Sequence, residues 1–308
     1  MIKQNVLIPS LLTLTLTMCA HGADLSGPVS GAVFHSGSRA IRPILGVPGS
    51  AYLGVAIASG LDAAAVSPNH KLAIAIRDGQ GVVFTGVDEA SPVEAEVDAI
   101  PGADKLFWSS DSTVAGLYSS KSGAVQTWRN GGLRKPGSIS GNVLALAVDG
   151  AGRVYAGVEG DGVYVLIEGA PARLLSRAQR PSAIAIARND LFFAERSRGE
   201  ILRIQNYSEA AGAVVFASGI ADPSGLALSQ DESTVLVASA ENKTLTAYRL
   251  DSGATAFELL LDFEPSGLSR ISESIFRLNE GSEGTPLQIL SNTNTPGVYF
   301  VPAGTTGN

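Results

Sequence analysis

Six short polar residues recur along this 308-residue chain at spacings of 38 to 42: Asp62, Asp104, Asn142, Ser182, Ser224 and Ser266. Brought into one ring, they would form two arcs of different chemistry. Asp62, Asp104 and Asn142 offer carboxylate and amide oxygens, the hard ligands that calcium takes in numbers of about six to eight. Ser182, Ser224 and Ser266 offer hydroxyls that both donate and accept. Such a mouth could hold calcium or another divalent cation, with Asp62, Asp104 and Asn142 as the metal set, or a polyol. The same residue types also cap strand starts and hold turns.

Other routes to chemistry are thin. The single cysteine, Cys19, lies in a segment expected to be removed, which leaves no thiol nucleophile, disulfide or cysteine metal site. Of the histidines beyond that segment, His70 stands in the turn Pro68-Asn69-His70-Lys71 and His35 near the N-terminus. A Ser-His-Asp constellation needs a histidine within reach of both partners, and a histidine at a turn tip is expected in solvent. The sequence carries no nucleophile elbow, His-rich metal motif or phosphate loop. No catalytic residue is assigned.

The elements that must position the six residues follow from the repeat itself. Two positions after each anchor stand Ala64, Leu106, Leu144, Ile184, Leu226 and Leu268; four after stand Val66, Trp108, Leu146, Ile186, Leu228 and, out of pattern, Arg270. Small and large apolar residues on both faces suit a strand buried between two sheets. Seven after each anchor comes Asn69, Asp111, Asp149, Asn189, Asp231 or Glu273, marking a hairpin turn. A second strand follows, then a Gly-x-(Val/Ile) opening of a third at Gly81, Gly123, Gly162 and Gly199, with Lys243 in the fifth copy, then a variable fourth. Four antiparallel strands per unit of about 40 residues is the blade of a β-propeller.

The expected fold is therefore an all-β, single-domain propeller of four-stranded antiparallel blades. Six anchors favour six blades, with seven as the alternative, because an N-terminal half-blade at 31–45 has no anchor before it. There Gly31-Ala32-Val33-Phe34 reads as a third strand and residues 40–45 as a fourth. These N-terminal strands are expected to pair with the C-terminal strands at 287–290 and 298–302 and so close the ring. The last unit is long because a polar loop, Glu280 to Pro286, is inserted in it.

Ser224-Gly225-Leu226-Ala227-Leu228-Ser229-Gln230-Asp231, followed by Val235-Leu236-Val237-Ala238-Ser239, resembles the Asn-Gly-Leu-Ala-x-Ser-Pro-Asp…Leu-Tyr-Val-Ala-Asp stretch of gluconolactonase-type propellers, and NHL-type propellers carry similar repeats. The resemblance spans residues 62–270. It implies the propeller fold and, in the lactonases, a divalent cation held by Glu, Asn and Asp of different inner strands. This chain departs from that set: Ser224 takes the Asn-like position, and no Glu stands among the anchors.

Residues 1–22 have the layout of a secretory signal peptide, with Lys3, an apolar run at 6–20 and small residues after it, which leaves a propeller domain at 23–308. The run is too short for a transmembrane span, and Met18 stands where a lipidation signal before Cys19 uses Gly, Ala or Ser. The formal charge is −7 and removal of Lys3 makes it more negative, so a nucleic-acid partner is not expected. The functional expectation is a secreted or periplasmic, monomeric, non-catalytic binding propeller of the bacterial cell envelope, without cofactor, facing a protein or a glycan. The alternative is a metal-dependent, lactonase-like hydrolase with a cation at the channel mouth.

Overall fold

A computed structural model describes residues 28–89, 91–207, 212–281 and 285–302. The expected signal peptide and Cys19 lie outside the described residues. Seven antiparallel sheets follow one another in chain order. Blade 1 holds Val29–His35, Ala40–Leu45 and Tyr52–Leu53, and blade 2 holds Ala63–Val66, Leu72–Arg77, Gln80–Thr85 and Val93–Val97. Blade 3 spans Lys105–Trp108 to Gly132–Ser138, blade 4 Val143–Val148 to Arg173–Arg177, and blade 5 Pro181–Ala187 to Val214–Ser218. Blade 6 spans Pro223–Leu228 to Thr255–Leu260, and blade 7 Ser269–Arg270 to Gly297–Val301. The first strand of every sheet lines one central cavity. The chain is a seven-bladed β-propeller.

The apolar alternation explains the packing. Along the inner strand of blade 2, Ala64 and Val66 face the cluster shared with blade 1, while Ala65 faces the cluster shared with blade 3. The same arrangement recurs around the ring, so that seven apolar clusters each fill one space between neighbouring sheets. Hairpin geometry supports it: Gly123 and Gly199, at φ 69° and 62°, open third strands where a Cβ would collide with the carbonyl oxygens of Ile139 and Ile220. Lys243, which replaces Gly in blade 6, holds the same left-handed backbone at φ 51°.

Among the described residues six blades have four strands and blade 1 has three, so the count is seven rather than six. The half-blade at 31–45 does not join the C-terminal strands. Leu287–Ser291 and Gly297–Val301 are the third and fourth strands of blade 7, paired with that blade's own Ile275–Arg277. Val29–His35 pairs with Ala40–Leu45 and lies innermost in a sheet of its own. It also runs against the other inner strands. Gly31 lies beside Ile271 and His70, in the turns that follow the inner strands of blades 7 and 2. Arg39, in the hairpin after the strand, donates Nε–H to Leu61 O (3.1 Å) and pairs with Asp62, where the inner strand of blade 2 opens. By direction the three strands of blade 1 correspond to the second, third and fourth of the others. The blade was missed by counting because anchors mark inner strands of the usual direction, and it has none.

The ring closes by side-chain packing instead of strand exchange. Val33, Ile44, Ala51 and Leu53 of blade 1 interleave with Ile271, Ile275, Leu287, Ile289 and Val301 of blade 7, and Leu53 N–H donates to Pro302 O across the seam at 3.0 Å. Glu280 and Pro286 lie between the second and third strands of blade 7, as expected, and Asn279 Nδ2 donates to Pro286 O at 2.9 Å.

Deleting residues 31–45 removes two strands of blade 1 and strips the cover from Ile289 and Tyr299. The truncated protein is expected to aggregate and lose its cooperative thermal transition. The milder Ile44→Ala, at a side chain with 0% exposure, is expected to cost about 2–4 kcal/mol. A deletion that melts like the parent would contradict closure at this seam.

Candidate functional site

The six repeat anchors occupy equivalent places. Backbone N–H groups of Asp62, Asp104 and Ser266 donate to Ile76 O (2.7 Å), Tyr118 O (2.9 Å) and Leu278 O (3.0 Å), at the end of the second strand or just beyond it, and Glu159 N–H donates to Asn142 O (2.9 Å). All six therefore stand where an inner strand opens. None of them lines the central cavity.

Asp62 pairs with Arg39 of blade 1 and accepts from Gly79 N–H (3.4 Å). Asp104 accepts from Ser120 N–H (2.9 Å), and Asn142 Nδ2 donates to Glu159 Oε2 (2.9 Å), both in the turns after second strands of their own blades. Ser182 Oγ donates to Pro223 O (2.7 Å) and Ser224 Oγ to Pro265 O (2.7 Å), so each hydroxyl reaches the next blade. Neighbouring charges make further blade-to-blade links: Arg180 with Glu159 (3.4 Å), Arg196 Nη2 with Asp222 Oδ2 (2.6 Å), and Lys243 with Glu264 (3.7 Å). Among the described residues, no three His, Cys, Asp or Glu side chains converge as a metal site.

The turns at the opposite end are equally specific. Ser229 Oγ donates to Asp231 Oδ1 (2.6 Å), which also accepts from Ser233 N–H (3.1 Å) and Ser233 Oγ (2.8 Å). Ser109, Asp111 and Thr113 repeat this loop in blade 3. The hydroxyl of Ser229 holds the Asp231 carboxyl below its ordinary value, with Ser233 adding to the effect. His70 is half-buried rather than exposed. Burial pushes its imidazole below the ordinary value against the opposing pull of Asp88 and Glu273, and its Nδ1 is buried without a hydrogen-bond partner among the described residues. His35 caps the short helix Ser36–Ser38, its Nδ1 accepting from Ser38 N–H (3.2 Å).

Inside the ring lies a cavity of about 290 Å³ whose lining side chains are mostly aliphatic and aromatic, Leu106, Trp108, Ile186 and Leu228 among them. It extends to the turn end, where Pro68 and Ser110 line it. Among the described residues, the only charged side chains on its wall are Arg270 and Arg277, both of blade 7. Sequence reasoning met Arg270 only as an exception in the apolar column and missed Arg277. The signal for the first was present: a guanidinium in a column of Val, Trp, Leu and Ile.

No family model and no curated protein matches the chain. Solved structures do. A functionally unknown protein from Desulfotomaculum acetoxidans DSM 771 is 13% identical, with 89% of this chain and 99% of that one covered at a TM-score of 0.61. PorZ, a surface component of the type-IX secretion system of Porphyromonas gingivalis, is 14% identical over 92% of this chain and 38% of that one, TM-score 0.61. A catalytically inactive virginiamycin B lyase from Staphylococcus aureus, solved with quinupristin, is 14% identical over 79% and 84%, TM-score 0.56. At such identities the likeness establishes the β-propeller fold.

Ser182→Ala and Ser224→Ala each leave a carbonyl of the next blade without its donor and are expected to cost about 0.5–1.5 kcal/mol. Because Pro223, the acceptor of the first bond, directly precedes Ser224, the donor of the second, the double variant should depart from additivity by at least about 0.5 kcal/mol in denaturant titrations. For Asp231, a carboxyl depressed in the fold contributes stability above its unfolded value near 3.8, and that contribution is lost as pH falls through the lower folded value. The stability gap between parent and Asp231→Ala should therefore be full at pH 6 and shrink below pH 4. Because Asp231 is exposed, the gap should not exceed about 1 kcal/mol. A gap independent of pH would show that the charge is not what the turn uses.

Proposed function

We propose that this chain is a non-catalytic, secreted or periplasmic binding propeller of the bacterial cell envelope, acting as a monomer on a protein partner, with a glycan as the other candidate. The observation that carries this reading is how the polar groups of the ring are used. The side chains of Asp62, Asp104, Asn142, Ser182 and Ser224 are hydrogen-bonded within the scaffold, which leaves them as builders of a rigid rim. Rigid scaffolds that present loops and edges are the common basis of recognition. The rim around Asp62, Asp104, Asn142, Ser182, Ser224 and Ser266 is proposed as one contact surface.

The outer circumference supports a protein partner. A cleft of about 460 Å³ separates the outermost strands of blades 6 and 7, lined by Leu259, Leu260, Val298 and Phe300. Leu260 is 84% exposed and Phe300 64%. Large apolar side chains grouped at an exposed cleft are the usual mark of an interaction site. No helix among the described residues is long and apolar enough to cross a membrane.

The gluconolactonase- and NHL-type resemblance belongs to this reading as a kinship of repeats. Its catalytic version would place a cation on Asp62 and Asp104, whose carboxylate oxygens already accept hydrogen bonds within their blades, and on Asn142, whose amide nitrogen donates to Glu159. Residues 23–308, immobilised and challenged with envelope extract, are expected to retain a partner that Leu260→Glu with Phe300→Glu releases, with a glycan array as the parallel assay. Lactone turnover that rises with calcium, together with a calcium-dependent thermal shift, would overturn the proposal in favour of the hydrolase.

A further inference from the structure

The channel charge is the feature that the rim and the outer cleft leave unexplained. The chain carries 29 acidic against 22 basic residues, yet among the described residues no Asp or Glu lines the central cavity, whose charged side chains are Arg270 and Arg277 alone. We propose that this cavity is a binding site for a small organic monocarboxylate, its charged head held by Arg270 and Arg277 and its apolar body lying against the wall formed by Leu228, Ile186 and Trp108.

Arg270 carries most of the argument. It occupies the inner-strand position filled by Leu146, Ile186 and Leu228 in the preceding blades. Its Nη2 donates to Leu228 O (2.6 Å) and Ser229 O (3.0 Å), and its guanidinium lies 5.5 Å from the centre of the Phe276 ring. Those bonds fix the side chain through one nitrogen of a fork that carries five N–H groups. Among the described residues, no carboxylate forms an ion pair with it; Glu232, the acidic group that favours its charge, pairs with Arg188 at 3.4 Å. Burial works against the charge of Arg270, and a guanidinium set among apolar side chains with no direct ion-pair partner among the described residues is disfavoured relative to an aliphatic side chain. An incoming carboxylate would offset that cost by bidentate pairing.

Arg277 stands on the neighbouring strand, where Ser269 is its partner in the ladder. Blade 7 has only the two-residue inner strand Ser269–Arg270, so this second-strand side chain reaches the cavity. Its Nε donates to Ser269 Oγ (3.2 Å), and its Nη2 pairs with Glu280 at 3.0 Å, a carboxylate 67% exposed and free to yield to a ligand. The size of the cavity, near the low end for small-molecule sites, limits the body to a single ring or a short chain.

This inference rests on the binding reading above only in treating the channel as a site of recognition. The test uses residues 23–308, with benzoate as probe and benzamide as its neutral analogue, read by calorimetry and thermal shift. Saturable benzoate binding that raises the melting temperature is expected, with benzamide at least ~10-fold weaker because it lacks the charge that Arg270 pairs. Arg270→Met should weaken benzoate at least ~10-fold and Arg277→Gln by a smaller factor, while Arg173→Gln, on the outer strand of blade 4, should match the parent. Absence of benzoate binding, equal binding of benzamide, or parental affinity in both channel variants would overturn the site. Should Arg270→Met lack a cooperative melt, Arg277→Gln alone is read, and unchanged affinity there is equally decisive. Benzoate binding without capture of an envelope partner would keep this site and remove the interaction reading; capture without benzoate binding would do the reverse.

Discussion

Each sheet of this ring is buried on both faces by its neighbours, and that mutual burial is the constraint on which the rest of the structure depends. A four-stranded sheet alone would expose one apolar face. Arranged radially, every sheet covers the next, and seven clusters close the circle. Apolar burial of this extent drives a fold that has no cysteine among its described residues to staple it. The seam between blades 7 and 1 follows the same rule, and so a blade with only three strands and a reversed inner strand still seals the ring. Side-chain volume matters there more than hydrogen-bond register.

Two-faced burial also determines where polar groups can go. Between the sheets few are placed, Gln126 with its bonds to Ile100 N–H and Asp98 O being one, and many others collect at the two ends of the inner strands and on the outer edges. At the opening end, Ser182, Ser224, Asn142 and the ion pairs around Glu159 and Asp222 tie blades and turns together. At the turn end, Ser229 with Asp231 and Ser109 with Asp111 satisfy the backbone of tight hairpins. On the outer edges, Glu94 and Glu96 of blade 2 and Arg173 and Arg177 of blade 4 discourage strand addition by charge. The outermost strand of blade 7, Gly-Val-Tyr-Phe-Val, carries no such charge and borders the exposed cleft.

Against this background the two channel arginines are exceptions with a physical cost, and exceptions to a repeat are where recognition is best sought. Phe276 and the carbonyls of Leu228 and Ser229 hold Arg270 in place without neutralising it. A preorganised cation partly withdrawn from water discriminates charge more sharply than a fully solvated one, because the lower local dielectric strengthens each interaction.

Much of the fold was legible in the sequence because its repeat is dense. The anchors, the apolar alternation after them and the Asp or Asn seven residues on located the inner strands, the hairpins and most second and third strands. The four-stranded blade follows from those elements through the geometry of strands and turns. The number of blades was not legible. Blade 1 lacks an inner strand of the usual direction, and strand direction leaves no mark in side-chain alternation, which reads the same both ways. Ring closure was likewise decided by which face of Val33 and Ile44 found Ile271 and Ile289, a long-range match between the two ends of the described chain. The candidate site divides in the same manner. Residue types and spacing gave Asp62, Asp104, Asn142, Ser182, Ser224 and Ser266 a common place at the strand openings, but only the tertiary structure could supply the partners of the first five, because those come from turns and neighbouring blades. Arg270 showed in the sequence as a break in a column; that the break faces a central channel lined mostly by apolar side chains, shared with Arg277, is a consequence of seven inner strands meeting around one axis.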